Sequence, residues 1–363
     1  MSDNAQIKNR TIFLDILRVA ATCAVVLLHT VSGVKDTTDL SSYPTVFWKL
    51  QAIMDMVTWC VPVFVMISGY LFLNPGRRFT WKQMLFKYCR RIVLVLLLFG
   101  VPYACMELAA VERTLNISTL QRALGMVLRG KSWSHMWYLY MVFFLYLLTP
   151  GLKWVLQKTP CIVVYLVLGG LFMGSSVLPY INKYYQAELF PVLADDCIYL
   201  FYYLCGYLFV HRDNAAKDEK KTRSSQWVIP VLVVLLAAGM AAGRVRNFMQ
   251  IQMAYEYPFT VVLSVLIFAW AAGCKRDGLE QNKGGAICGE TAEKHWVAAS
   301  DLCFAIYLIH PLFINISYKF LHVTPWNYPL VISFPVFWLV FLLLSVIAAW
   351  GLRQVPVLRK YVL

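Results

Sequence analysis

Ten apolar runs, each long enough to cross a bilayer, constrain this chain more than any single motif. They fall at about 12 to 34, 47 to 73, 86 to 110, 134 to 157, 160 to 181, 195 to 211, 227 to 247, 257 to 274, 297 to 320 and 329 to 352. Lipid offers a backbone no water to bond, so such runs are expected as helices that satisfy their own N–H and C=O groups. The expected fold is all-α, a polytopic bundle of about ten transmembrane helices, forming one integral membrane domain over residues 1–363. Pro150 and Pro160 lie inside or between the fourth and fifth runs, and the sixth is short. Composition agrees: with 60% hydrophobic and 14% charged residues, a soluble domain of this size could not bury the apolar side chains.

Charge sets the expected topology. With a cytoplasmic N-terminus, 22 of the 33 Lys and Arg residues fall on the inside and 10 on the outside, Arg18 lying within the first run. That excess predicts both termini in the cytoplasm. Trp48, Trp133, Trp137, Tyr138, Trp326 and Tyr328 would form the outer aromatic belt, and Trp81, Tyr88 and Trp227 the inner one. The net charge of +14 sits in short loops beside apolar runs, which fits anionic membrane lipids rather than nucleic acid. No cleavable signal peptide is expected, because the first run is long and lacks a small-residue cleavage site. The ten cysteines are scattered without CxxC or Cys/His spacing, so neither a disulfide framework nor a metal site is predicted. No internal repeat of the transporter kind is visible. Residues 212–226 and 275–296 read as cytoplasmic loops, and Thr119 to Lys131, apolar at helical spacing with basic residues between, as an interfacial helix.

The first run carries Asp15, Arg18 and His29. Such groups are costly in lipid unless they face protein or water, so this helix is a candidate site as well as a span. At about 100° per residue, Arg18 and His29 lie only about 20° apart around the axis. Asp15 precedes Arg18 by three residues, where carboxylate and guanidinium can pair. His29 lies roughly 16 Å further along.

These residues, within Phe13 to Thr22 and on to His29, resemble the opening span of the acyltransferase-3 family of bacterial membrane acyltransferases. The resemblance continues in order. Ser68-Gly69-Tyr70, closing Val61 to Phe72, is similar to the family's helix-end signature, and Phe86 to Ile92, with Lys87, Arg90 and Arg91, to its basic motif, Lys87 standing where Arg is more usual. Met136-Trp137 and Tyr146 to Pro150 resemble its central span, and Ala305 to Pro311, with Tyr307 and His310, its penultimate one. Within the family the chain looks most similar to the enterobacterial common antigen O-acetyltransferase group. The resemblance implies an O-acetyltransferase of the bacterial cytoplasmic membrane. It would move an acyl group, usually acetyl, from cytoplasmic acetyl-CoA or another acyl-CoA to a hydroxyl of an envelope glycan or lipid-linked sugar.

The chemistry of the residues agrees with that. A sugar hydroxyl needs a base with a pKa near the working pH, and imidazole suits; His29 is the candidate, with Arg18 beside the donor or holding the helix. His135 and His310 fall at a similar depth in other spans, while His211, His295 and His322 fall in loops or at span ends. Asp55 and Glu107 are the carboxylates available to orient the base. Arg77, Arg78, Lys87, Arg90 and Arg91 form a cluster suited to the phosphates of CoA, although topology alone also places basic residues there. Intramembrane charges would serve a transporter or flippase for a lipid-linked sugar or small solute equally well. A membrane sensor or scaffold would need neither the aligned Arg18 and His29 nor the basic cluster.

Overall fold

The structure is a computed structural model that describes residues 11–114, 116–186, 188–215, 254–281 and 290–363. Among the described residues every regular element is helical. In chain order these are α1 (Ile12–Thr37), α2 (Pro44–Phe72), α3 (Trp81–Glu112), α4 (Ile117–Leu128), α5 (Ser134–Lys158), α6 (Cys161–Tyr185), α7 (Cys197–Ala215), α8 (Pro258–Gln281), α9 (Thr291–Phe320), α10 (Leu330–Gln354) and α11 (Pro356–Tyr361). Seven of them, α1, α2, α3, α5, α6, α9 and α10, are long and apolar enough to span a membrane. The apolar parts of α7 and α8, Cys197–His211 and Pro258–Gly273, are shorter. These nine helices match nine of the ten expected runs. The remaining run, 227–247, lies outside the described residues, as do most of 212–226 and part of 275–296.

Proline explains several local departures. In α2 the helix breaks between Val57 and Cys60, just where Pro62 supplies no N–H for the carbonyl of Thr58. Pro160 falls in the gap between α5 and α6 and separates them, whereas Pro150 is accommodated inside α5. Wider π-helical turns interrupt α3 at Met84–Cys89 and Leu96–Gly100, and α9 ends in one at Ile316–Phe320.

The chain divides into two compact units. The first comprises Met1–Leu71 and Tyr165–Trp350, the second Phe72–Val164 and Gly351–Leu363. The first is built around α1, whose face from Phe13 and Leu14 through Ala21, Val26 and Val31 to Val34 is buried. An aromatic knot closes one end of it: Phe13 meets Tyr70 at 5.5 Å and Phe268 at 6.0 Å between ring centroids. Nearby, Gly69 of α2 and Gly206 of α7 lie where two backbones meet, a Cβ on Gly69 colliding with the Tyr203 carbonyl oxygen and one on Gly206 with that of Met66. In the second unit Phe72, Phe79, Tyr88 and Tyr146 pack together, Phe72 lying 4.8 Å from Tyr88 and 4.6 Å from Tyr146.

Candidate functional site

Helices α1 and α9 run in the same direction and are joined at three levels. At the amino-terminal level, the Asp15 carboxylate is buried and accepts from Arg18 Nη1 at 2.8 Å and from Ser300 Oγ at 2.7 Å. Arg18 Nη1 also reaches Ser300 Oγ at 3.4 Å. Three residues of separation on one helix make the Asp15–Arg18 pair possible, and Ser300 ties it to α9. One guanidinium nitrogen thus holds the helix pair. Among the described residues nothing else bonds Arg18 Nε or Nη2, and its side chain keeps 26% of its accessible surface. Two donors in a planar fork beside open space can take a carboxylate, phosphate or developing oxyanion.

At the second level the His29 and His310 rings lie 5.1 Å apart between centroids, tilted by 48°. His310 is fully buried, and its Nδ1 lies 3.0 Å from the Ile306 carbonyl oxygen. A carbonyl only accepts, so Nδ1 is the donor in this bond. His29 is different: it retains accessible surface while Val26, Thr30, Val31 and His310 around it have none. Two facing imidazoles can exchange protons with a molecule that reaches His29. At the third level Tyr318 donates its hydroxyl to the Thr30 carbonyl at 3.1 Å. Its ring lies so close to Gly33 that a Cβ there would approach Tyr318 Cε2 to 2.8 Å.

Asp55 lies in the same unit, in α2, and is buried. Its carboxylate accepts from Gln51 Nε2 at 2.8 Å, and Gln51 Oε1 in turn accepts from the Lys35 ammonium, which sits 4.2 Å above the Phe47 ring. A chain of polar groups therefore links the last turn of α1 to a buried carboxylate. Glu107, the other carboxylate expected to orient a base, is exposed and belongs to the second unit. His135 is in that unit too. It is buried beneath Trp133 and Tyr103, whose rings stack 4.1 Å apart.

The five basic residues all fall in the second unit, but they are not equivalent. Arg77, Arg78, Lys87 and Arg90 are exposed. Lys87 lies over the Tyr88 ring at 5.3 Å and Arg90 over Tyr361 at 5.9 Å. Arg91 is half-buried and donates from Nε to the Val362 carbonyl at 2.7 Å and from Nη2 to that of Leu363. It anchors the segment after α11, whereas the other four present charge to the surroundings.

Three residues missed in the sequence now take positions. Lys153 is a buried cation in α5, whose ammonium donates to the carbonyl oxygens of Asn74, at 2.5 Å, and Arg77, and lies 5.3 Å from the Phe79 ring. It fixes the short loop that bears Arg77 and Arg78. Its signal was a lysine three residues after Pro150 inside an apolar run, easily read as one more inside charge. Ser300 and Gln51 are ordinary polar residues in apolar helices, and nothing local marks them as bridges.

Long apolar helices that carry a buried carboxylate, a half-buried guanidinium and two facing imidazoles define a polytopic membrane protein built for more than anchorage. Its class is narrower still: residues 11–354 match the family described as an acyltransferase domain, and the chain belongs to this acyltransferase-3 family. The protein is thus a membrane acyltransferase. Among curated proteins and among solved structures the chain has no match.

Proposed function

We infer that the protein is an O-acyltransferase that moves an acetyl group from acetyl-CoA, or another acyl group from its acyl-CoA, to a hydroxyl of an envelope glycan or lipid-linked sugar. The bacterial cytoplasmic membrane would be its setting. The observation that carries this reading is the accessible His29 held against buried His310 on α1, the helix that also presents the two open donors of Arg18. The likeness of the motifs to the enterobacterial common antigen O-acetyltransferase group supports acetyl as the group and an envelope polysaccharide as the acceptor.

In this reading His29 takes the proton of the acceptor hydroxyl as its oxygen attacks the thioester carbonyl. The C–S bond breaks, the coenzyme leaves as thiolate and takes up a proton, and the product is the sugar ester. His310, its Nδ1 committed to a backbone carbonyl, holds the second imidazole in one tautomer beside the base. Asp55, within its chain through Gln51 to Lys35, gives the same unit a buried carboxylate as counterion. Arg18 steadies the charge that develops on the donor. Arg77 and Arg78 of the loop and Lys87 and Arg90 of α3 hold the phosphates of CoA, while Arg91 anchors the segment after α11.

The test uses purified protein in nanodiscs with acetyl-labelled CoA and extracted envelope glycan. The expected result is acceptor-dependent release of CoA with one labelled acetyl per modified sugar, absent in His29→Ala. Mass spectrometry of envelope glycans with and without the protein identifies the acceptor by one acetyl mass. Movement of a sugar or solute with no CoA release would overturn the reading in favour of a transporter.

A further inference from the structure

The segment after α10 is brought back against α3. Val355 breaks the helix in an extended conformation and Pro356 opens α11. The turn that ends α11 is closed by its own backbone, the Val362 and Leu363 N–H groups both reaching the Leu358 carbonyl, at 2.9 and 2.7 Å. The carbonyls of the same two residues go elsewhere. Both are taken by the Arg91 guanidinium, through Nε at 2.7 Å and through Nη2, and Val362 is 2% exposed. A planar fork on two successive carbonyls fixes direction as well as distance.

What this clasp brings together is charge. One cation from each side of it, Arg90 of α3 and Lys360 of α11, lies over the Tyr361 ring, at 5.9 and 5.0 Å from its centre. Lys87 stands three residues before Arg90, and Arg353 at the end of α10 is near enough to act on Arg91 electrostatically. No carboxylate balances them. The second unit contains no aspartate, and its two glutamates, Glu107 and Glu112, lie toward the other end of α3, the nearer about 24 Å along the helix from Arg91.

The positive-inside rule places cations on one side of a membrane, but it gives no reason to tie two basic stretches together. Like charges on long side chains separate when nothing holds them. Here a half-buried guanidinium holds them, and Arg90 and Lys360 remain exposed. A cation above a ring keeps N–H donors for a further partner. Cations gathered without an acid match a polyanion, and one phosphate can accept from both.

We propose that the segment after α10 completes the donor site: Lys360, set beside Arg90 on the Tyr361 ring, is a further phosphate ligand for acyl-CoA, and Arg91 is the positioning residue that holds it there, an assignment that rests on the acyl-CoA reading above. Anionic lipid headgroups offer the same phosphate chemistry, and the choice of lipid in the test separates the two sources.

Equilibrium binding of acetyl-CoA to the full chain is measured in nanodiscs of phosphatidylcholine alone and of phosphatidylcholine with an equal amount of phosphatidylglycerol. Lys360→Gln, a change at an exposed side chain, should raise the Kd about tenfold in both, with Lys360→Arg close to the unaltered chain. Arg91→Lys keeps the charge and loses the fork. It should raise the Kd too, and adding Lys360→Gln to it should raise it by less than about twofold more. An Arg91 with a merely structural role would give losses that multiply. Unaltered affinity in Lys360→Gln, an effect confined to phosphatidylglycerol, or multiplied losses in the double variant would each overturn the proposal. An unaltered chain that binds no acetyl-CoA at all would overturn the donor reading itself, and this assignment with it.

Discussion

A lysine ammonium within an apolar helix must reach water or oxygen atoms of the protein, and Lys153 reaches two backbone carbonyls. Lys153→Met would leave the carbonyls of Asn74 and Arg77 short of a donor, at a cost of about 1–3 kcal/mol. The loop bearing Arg77 and Arg78 should loosen. Expected outcomes are a lower thermal midpoint in detergent, faster tryptic cleavage at Arg77 and Arg78, and a raised KM for acyl-CoA with a smaller change in kcat; Lys153→Arg should recover most of each. The base makes the opposite pattern. His29→Ala should lower kcat by about 10²–10⁴-fold, the usual contribution of general base catalysis, with a smaller change in the thermal midpoint than Lys153→Met. Steady-state kinetics and a melting curve on the same preparations check both. Asp15, Arg18 and His29 were legible in the sequence because one helix carries them and its period fixes their common face. Ser300, 285 residues from Asp15, was not, since hydrogen bonds between helices leave no local trace.

Two backbones approach closely where Gly69 of α2 faces α7 and Gly206 of α7 faces α2. A methyl group at Gly206 would stand 2.6 Å from the Tyr70 nitrogen, and one at Gly69 would strike the Tyr203 carbonyl. Backbone cannot rotate away as a side chain can, so the helices must separate. Gly69→Ala and Gly206→Ala are each expected to destabilise by about 1–3 kcal/mol, the usual range for overpacking. Gly170→Ala in α6 should have little effect, because nothing lies within 4 Å of a Cβ there. Thermal unfolding in one detergent compares the three. The Ser68-Gly69-Tyr70 signature was visible in the sequence as a helix-end device. Its meaning as the contact with Gly206 was not, for the pairing of helices depends on tertiary packing that hydropathy does not record. The same reason explains why α1 against α9 could not be read, although both were recognised as spans.

Sidedness is a property of the whole chain, and it turns on one stretch. Nine crossings alone would put the basic segment at Arg353, Arg359 and Lys360 on the side opposite Arg77 to Arg91, at odds with the contacts that join Arg90 and Arg91 to Tyr361, Val362 and Leu363. The expected run at 227–247 lies outside the described residues, and one further crossing there would return that segment to the inside. The distribution of charge predicts the same arrangement, in which the basic loop at Arg77 to Arg91 and the segment after α10 share the cytoplasmic face. A fluorescent protein fused after Leu363 is therefore expected to fluoresce, and alkaline phosphatase fused there to be inactive. Phosphatase inserted at Ser42, between α1 and α2, should be active, and inserted at Gly76, between α2 and α3, it should not. An active phosphatase after Leu363 together with an inactive one at Gly76 would overturn the cytoplasmic placing of the segment after α10 and its contacts with Arg90 and Arg91.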